Sequence, residues 1–96
     1  GVAMNANRWL GQMGQEPLSE ELIAALPKIP VGKGEGVLVE VTGSFQGMSG
    51  EAKPGYKLLG AIAEQAGQGI FIKMTGPEAT VNAQRDSFLA FCASLQ

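Results

Sequence analysis

Three segments with strand-like alternation follow one another between residues 37 and 74, and their spacing limits the fold more than any other feature. Valine occupies every second position of Val37–Thr42, and alternation continues in Tyr56–Glu64 and Ile70–Met74. A period of two is typical of β-strands. The connections, residues 43–55 and 65–69, are too short for a helical crossover, so we expect a three-stranded antiparallel meander.

Helices are predicted before and after this meander. Residues 4–14 repeat apolar side chains at helical spacing. A short helix over residues 19–26 begins at Ser19, a preferred N-cap residue. The last helix continues to residue 95, and its start is indicated by Thr75 and Glu78, which have the spacing of a capping box.

The predicted fold class is therefore α+β, with the element order α-α-β-β-β-α in a single domain of 96 residues. We expect the C-terminal helix to pack on a sheet face formed by Val37, Ile62 and Ile72. The two N-terminal helices are expected elsewhere on the sheet or at its end. The glycine-rich residues 32–36 are predicted to form a turn, and residues 43–55 a long loop.

Composition excludes several kinds of chemistry. The chain has no histidine, which excludes Ser-His-Asp catalysis and histidine-containing zinc sites. Its net charge of −2, with no two basic residues adjacent, argues against a nucleic-acid partner. Cys92 is the only cysteine, so no intrachain disulfide can form, and its place among apolar helix residues predicts a buried thiol. No metal-binding or phosphate-binding motif is present, so we expect no cofactor and no metal.

A few residues are nevertheless candidates for binding. Trp9 is the only tryptophan, and either it anchors the first helix in the core or it forms an aromatic platform with the polar side chains around it. Lys73 places a charge inside an apolar strand, where it either reaches solvent or contacts a ligand or partner. The candidate binding residues are Asn7, Arg8, Trp9, Gln12, Tyr56 and Lys73. No residue is predicted to be catalytic.

Three sequence elements resemble those of a bacterial family of uncharacterised proteins. Residues 5–12 read NANRWLGQ and resemble N-x-x-R-W-x-G-Q, and residues 56–62 read YKLLGAI and resemble YxLLGAI. Residues 71–81 read FIKMTGPEATV and resemble FFKLTGPxxTV, which a helix follows. This family is common in planctomycetes and some proteobacteria, where its members are often exported or lipid-anchored. Its architecture is similar to the PsbP-like and Mog-type α/β/α sandwich.

The resemblance has implications for the localisation and the oligomeric state of the protein. It implies a periplasmic or cell-envelope protein, although the first residues lack the pattern of a signal peptide and no apolar run approaches the ~20 residues of a membrane span. It also implies further strands upstream of the first helix, so we expect this chain to be a fragment. An uncovered sheet edge can pair with another chain, which predicts dimerisation through that edge or an exposed face.

Two functions agree best with these observations. The first is a non-catalytic interaction or accessory domain, whose binding surface comprises the 43–55 loop with Asn7, Arg8 and Gln12. The second is a domain that binds a small anionic organic molecule between the first helix and the sheet, through Trp9, Tyr56 and Lys73. A third class, an enzyme using carboxylates alone, lacks any evident pair of acid–base groups.

Overall fold

The computed structural model describes residues 1–46, 52–65 and 67–95. Within these residues the chain forms four helices and one antiparallel sheet, with the strands in the order β1-β2-β3-β4. This arrangement confirms an α+β fold built on an antiparallel meander. The elements are α1 Val2–Gln12, α2 Glu20–Ala24, β1 Lys28–Val31, β2 Gly34–Gln46, β3 Ala52–Gln65, β4 Gln68–Pro77, α3 Glu78–Ala83 and α4 Arg85–Ser94.

The sheet has one strand more than the three predicted. The additional strand, β1, contains Pro30, which in the sequence indicates only an extended segment. Proline is tolerated on an edge strand because its missing N–H can face away from the ladder. β1 pairs with the start of β2 through a turn at Gly32 and Lys33, so the predicted turn over residues 32–36 is shorter than expected.

The predicted loop over residues 43–55 is mostly strand. β2 continues to Gln46 and β3 begins at Ala52, and these two residues pair with each other. The register of the β2–β3 ladder shifts between Gly43 and Phe45. The Phe45 and Tyr56 rings stack with their centroids 6.0 Å apart. Residues 47–51, the middle of the predicted loop, lie outside the described residues.

The predicted C-terminal helix is divided into α3 and α4. Gln84 separates them, with a φ of −102°. The predicted capping box is wrong, because Thr75 lies in β4 and Pro77 is the N-cap residue of α3, with no side-chain cap bond. The Ser19 cap of α2 is confirmed, since its hydroxyl accepts a hydrogen bond from the Leu22 N–H.

Helices cover both faces of the sheet, and the predicted face for the C-terminal helix is wrong. Ile62 pairs with Phe71, so Ile62 and Ile72 point to opposite faces. α3 and α4 cover the face of Ile72, where the buried core residues are Val31, Leu38, Leu59, Ala61, Ala63, Val81, Phe88 and Cys92. α1 and α2 cover the other face, where they are Ala6, Trp9, Met13, Ile23, Val39, Leu58 and Ile62.

A polar cluster joins the sheet to the α3–α4 layer. Lys57 Nζ lies 2.8 Å from Glu40 Oε2 and donates a 2.6 Å hydrogen bond to Asn82 Oδ1. Arg85 Nε donates to the same Glu40 oxygen over 2.9 Å. The hydrogen bond from Arg85 holds the pKa of Glu40 below its ordinary value, with Lys57 acting in the same direction against partial burial. The two cations share one carboxylate, and because Asn82 and Arg85 lie on either side of Gln84, these contacts hold the turn between the two helices against the sheet.

Candidate functional site

The Trp9 ring is buried between α1 and the sheet. Only 3% of Trp9 is exposed, and a Cβ built on Gly60 would lie 2.8 Å from its Cε3 atom. Gly60 is therefore the residue that leaves room for the indole. Because so little of the ring faces solvent, Trp9 anchors α1 rather than forming an open platform, which is the first of the two alternatives for this residue.

Lys73 lies over this anchored ring. Lys73 pairs with Gly60 across β3 and β4, so its side chain emerges on the α1 face of the sheet. Its Nζ lies 5.9 Å from the Trp9 ring centroid and donates a 3.0 Å hydrogen bond to Gln12 Oε1. This contact between residues 61 positions apart joins α1 to the outer strand of the sheet. Lys73 itself remains exposed, so its ammonium is available to a partner.

Arg8 extends the polar side of α1 on which Gln12 lies. Arg8 and Gln12 are four positions apart, which places them one turn apart on the same side of the helix. Arg8 is exposed and makes no hydrogen bond or ion pair with any other residue that the structure describes. The two cations Arg8 and Lys73 therefore flank Gln12 with solvent on one side.

Two of the predicted binding residues lie elsewhere and have structural contacts. Asn7 donates to the Leu18 carbonyl over 3.1 Å and accepts from the Leu18 N–H over 2.7 Å, which fixes the segment before α2. Tyr56 stacks on Phe45 and pairs with Pro77 at one end of the β3–β4 ladder, and it packs at the margin of the apolar cluster that contains Trp9. Four residues of extended strand, about 13 Å, separate Tyr56 from the Gly60–Lys73 pair, so the structure does not bring Tyr56 to Lys73.

Phe71 was not among the binding residues predicted from the sequence, but the structure places it beside Lys73. It is 50% exposed, and it lies two positions from Lys73 on the same face of β4. A Cβ built on Gly69 would lie 2.8 Å from the Phe71 ring, so the ring lies along the strand over that glycine. Lys73 and Phe71 thus present a cation and an aromatic ring side by side on the outer strand.

A small hollow continues this surface beside α1. Its volume is about 250 Å³, and its lining residues are Gly1, Asn5, Ile62, Glu64, Gly67, Gln68, Gly69 and Phe71. Asn5 follows the line of Arg8 and Gln12 along α1, so the hollow and the two cations belong to one strip between α1 and β4. We call Asn5, Arg8, Gln12, Phe71 and Lys73 the α1–β4 surface.

A second, more open hollow of about 420 Å³ lies on the other side of α1. Its lining is apolar apart from Glu20 and Lys28, and the remaining members are Val2, Ala3, Ile23, Ala24 and Val37. None of the binding residues predicted from the sequence lines this hollow. Of the predicted residues, Arg8, Gln12 and Lys73 belong to the α1–β4 surface, and Trp9 supports it from below Lys73.

The chemistry of the α1–β4 surface suits binding. It combines two exposed cations, two amides and an exposed aromatic ring, and Glu64 lies at the far end of the adjoining hollow. Among the described residues, no group of three or more His, Cys, Asp or Glu side chains gathers where it could hold a metal ion. In the same residues, no helix is both long and apolar enough to cross a membrane.

Comparisons with family models, with curated proteins and with solved structures found no match to this chain. The family indicated by the three sequence elements therefore stays a prediction.

Proposed function

We propose that this chain is a non-catalytic interaction domain whose binding surface is the α1–β4 surface. The observation that carries the proposal is Phe71, which is half exposed beside Lys73 on the outermost strand of the sheet. Aromatic residues are enriched where proteins meet partners, and the neighbouring accessible cation adds charge to the apolar contact that the exposed ring offers.

The two edges of the sheet differ in a way that favours β4. β1 has four residues and contains Pro30, and beyond it Gln15 Nε2 donates to the Thr42 carbonyl on the outer side of β2. Short length, proline and covering contacts are the usual protections of a sheet edge. β4 has ten residues, and among the described residues no hydrogen bond from another part of the chain reaches the backbone on its outer side. The unprotected edge and the α1–β4 surface are thus continuous.

The family resemblance adds a cellular localisation and a role to this proposal. An accessory domain of the bacterial cell envelope would act by binding another protein, and the helices on both faces of the sheet are compatible with a PsbP-like or Mog-type sandwich. The wider surface predicted around the 43–55 loop is reduced in this proposal to Arg8 and Gln12, because most of that segment belongs to the β2–β3 ladder.

Peptide selection tests the proposal even while the partner is unidentified. A library of random ten-residue peptides would be selected on the folded chain, and enriched peptides would be measured against Phe71→Ala and Phe91→Ala. Phe91 is the matched control, because it is a phenylalanine of similar exposure, 55%, on the α4 side of the sheet. We expect Phe71→Ala alone to abolish binding. Failure to enrich any peptide, or equal loss with both variants, would contradict the proposal.

A second candidate function is binding of a small organic anion at Lys73. The hollow of about 250 Å³ beside Phe71 favours it, although ligand pockets are usually about 300–1,000 Å³. A thermal-shift screen with mono- and dicarboxylates and sugar phosphates tests this candidate. Stabilisation that disappears in Lys73→Gln would support it, and stabilisation that persists in Lys73→Gln would place the ligand elsewhere.

A further inference from the structure

We infer that the α1–β4 surface binds a second copy of this chain, with the two β4 strands paired antiparallel about a two-fold axis at Ile72. This inference rests on the proposed function and names the partner. It predicts one register among the possible pairings of β4 with itself. That register follows from the positions of β4 residues and from symmetry.

Symmetry limits the registers that two β4 strands can adopt. Two antiparallel strands at the centre of a symmetric dimer are related by an axis perpendicular to the sheet, so one residue must lie opposite its own copy. The axis can pass at Phe71, at Ile72 or at Lys73, which are the central positions of the exposed edge. Each choice places different side chains opposite each other.

The axis at Ile72 gives the most favourable pairing. With this axis, residues 68–76 of one copy pair with residues 76–68 of the other. An axis at Phe71 would shorten the paired segment to residues 68–74 of each copy. An axis at Lys73 places two lysines directly opposite each other, and like charges at that position are destabilising. With the axis at Ile72, each Phe71 lies opposite the Lys73 of the other copy, so the exposed ring gains a cation and an aliphatic stem.

The other face of β4 is equally compatible with this register. Ile72 lies opposite its own copy, and Ile70 lies opposite Met74 of the other copy. All three side chains already pack against the core beneath α3 and α4 and are only half buried at the edge. The pairing therefore extends two apolar cores into each other while it joins the two four-stranded sheets into one of eight strands.

The dimer would also bring the two α1–β4 surfaces together. The axis is perpendicular to the sheet, so both α1 helices lie on the same side, and the two α1–β4 surfaces become neighbours. Each surface then includes Phe71 of the second copy beside its own Lys73. An isolated chain presents only one half of this combined strip.

Disulfide trapping tests the register. In Ile72→Cys the two thiols would lie on directly opposite residues, whose Cα atoms are about 4.5–5.5 Å apart in an antiparallel pair, within disulfide range. Ile70→Cys is the matched control, since its two copies would be offset by four residues, or about 13 Å along the strands. Cys92 is buried and present in both variants. We expect oxidation to give a covalent dimer with Ile72→Cys only, and circular dichroism would establish that both variants are folded.

Two variants with opposite charges at position 71 provide an independent test of the register. Phe71→Lys would face Lys73 of the other copy, whereas Phe71→Glu would form an ion pair with it. Because each pair occurs twice in the dimer, we expect the dissociation constant of Phe71→Lys to exceed that of Phe71→Glu by about tenfold. Equal dissociation constants, or equal trapping at positions 70 and 72, would overturn this register. A wild-type chain that is monomeric while selected peptides still require Phe71 would overturn the second copy as partner and leave the proposed function standing.

Discussion

Substitution of Gly60 by alanine tests the contact that holds α1 on the sheet. The new Cβ would lie 2.8 Å from Trp9 Cε3 and 3.2 Å from Cη2, and closer still to Cζ3. Real Cβ atoms essentially never approach other atoms within 3.0 Å, so something must move. The indole is rigid and only 3% exposed, and therefore it can yield only by displacing α1 or the neighbouring core.

The expected loss of stability follows from the costs of overpacking. Extra methyl groups in a well-packed core usually cost about 1–3 kcal/mol. Alanine also restricts the unfolded chain more than glycine does, which offsets about 0.4–1 kcal/mol. We therefore expect a net loss of about 1–2 kcal/mol in the free energy of unfolding. For a chain of this size the corresponding decrease in Tm is roughly 4–16 °C.

Urea unfolding followed by circular dichroism measures this loss, and two further variants make it specific. Gly11→Ala is the control, because a Cβ at this helical position meets nothing within 4 Å. It should stabilise the chain by about 0.5–1 kcal/mol. In a Trp9→Phe background, which removes much of the offending ring, Gly60→Ala should cost far less. If Gly60→Ala lowers the free energy of unfolding equally in the wild type and in the Trp9→Phe background, this reasoning is refuted.

Three further predictions concern the α3–α4 layer. Lys57→Ala leaves Asn82 without its donor and Glu40 with Arg85 alone, so we expect urea unfolding to show a loss of about 1–3 kcal/mol; an unchanged midpoint would contradict it. The lowered pKa of Glu40 in the folded chain means that its contribution to stability is present above the ordinary value of 4.5 and is lost as pH falls through the lower folded pKa. The decrease in stability between pH 7 and pH 3 should therefore be smaller in Glu40→Gln than in the wild type, and parallel decreases would count against it. Burial raises the pKa of the Cys92 thiol, so a disulfide reagent should modify it slowly in the folded chain and rapidly in urea, whereas equal rates would show that the thiol is accessible.

Local patterns in the sequence predicted much of the secondary structure. The apolar spacing of α1, the Ser19 cap and the alternation of β3 and β4 each depend on neighbouring residues, and the structure shows all of them. Strand β1 was missed, because Pro30 indicates only extended backbone and four residues are too few to show a strand by their alternation.

The errors and omissions arose where distant segments meet. The face of the C-terminal helix depends on a register in which Ile62 pairs with Phe71, and a shift of one residue exchanges the two faces. The hydrogen bond between Lys73 and Gln12 joins two elements through residues 61 positions apart, so no local pattern could indicate it. Phe71 has the alternation of a core residue, and only the position of β4 at the sheet edge leaves it exposed.

Light scattering over a series of protein concentrations tests most directly whether β4 and the α1–β4 surface bind a second chain. The monomer mass is 10.0 kDa. We expect the wild-type mass to rise towards twice that value with concentration, and the curve for Phe71→Lys to shift to higher concentrations. A mass that stays at that of the monomer up to the solubility limit would contradict the account.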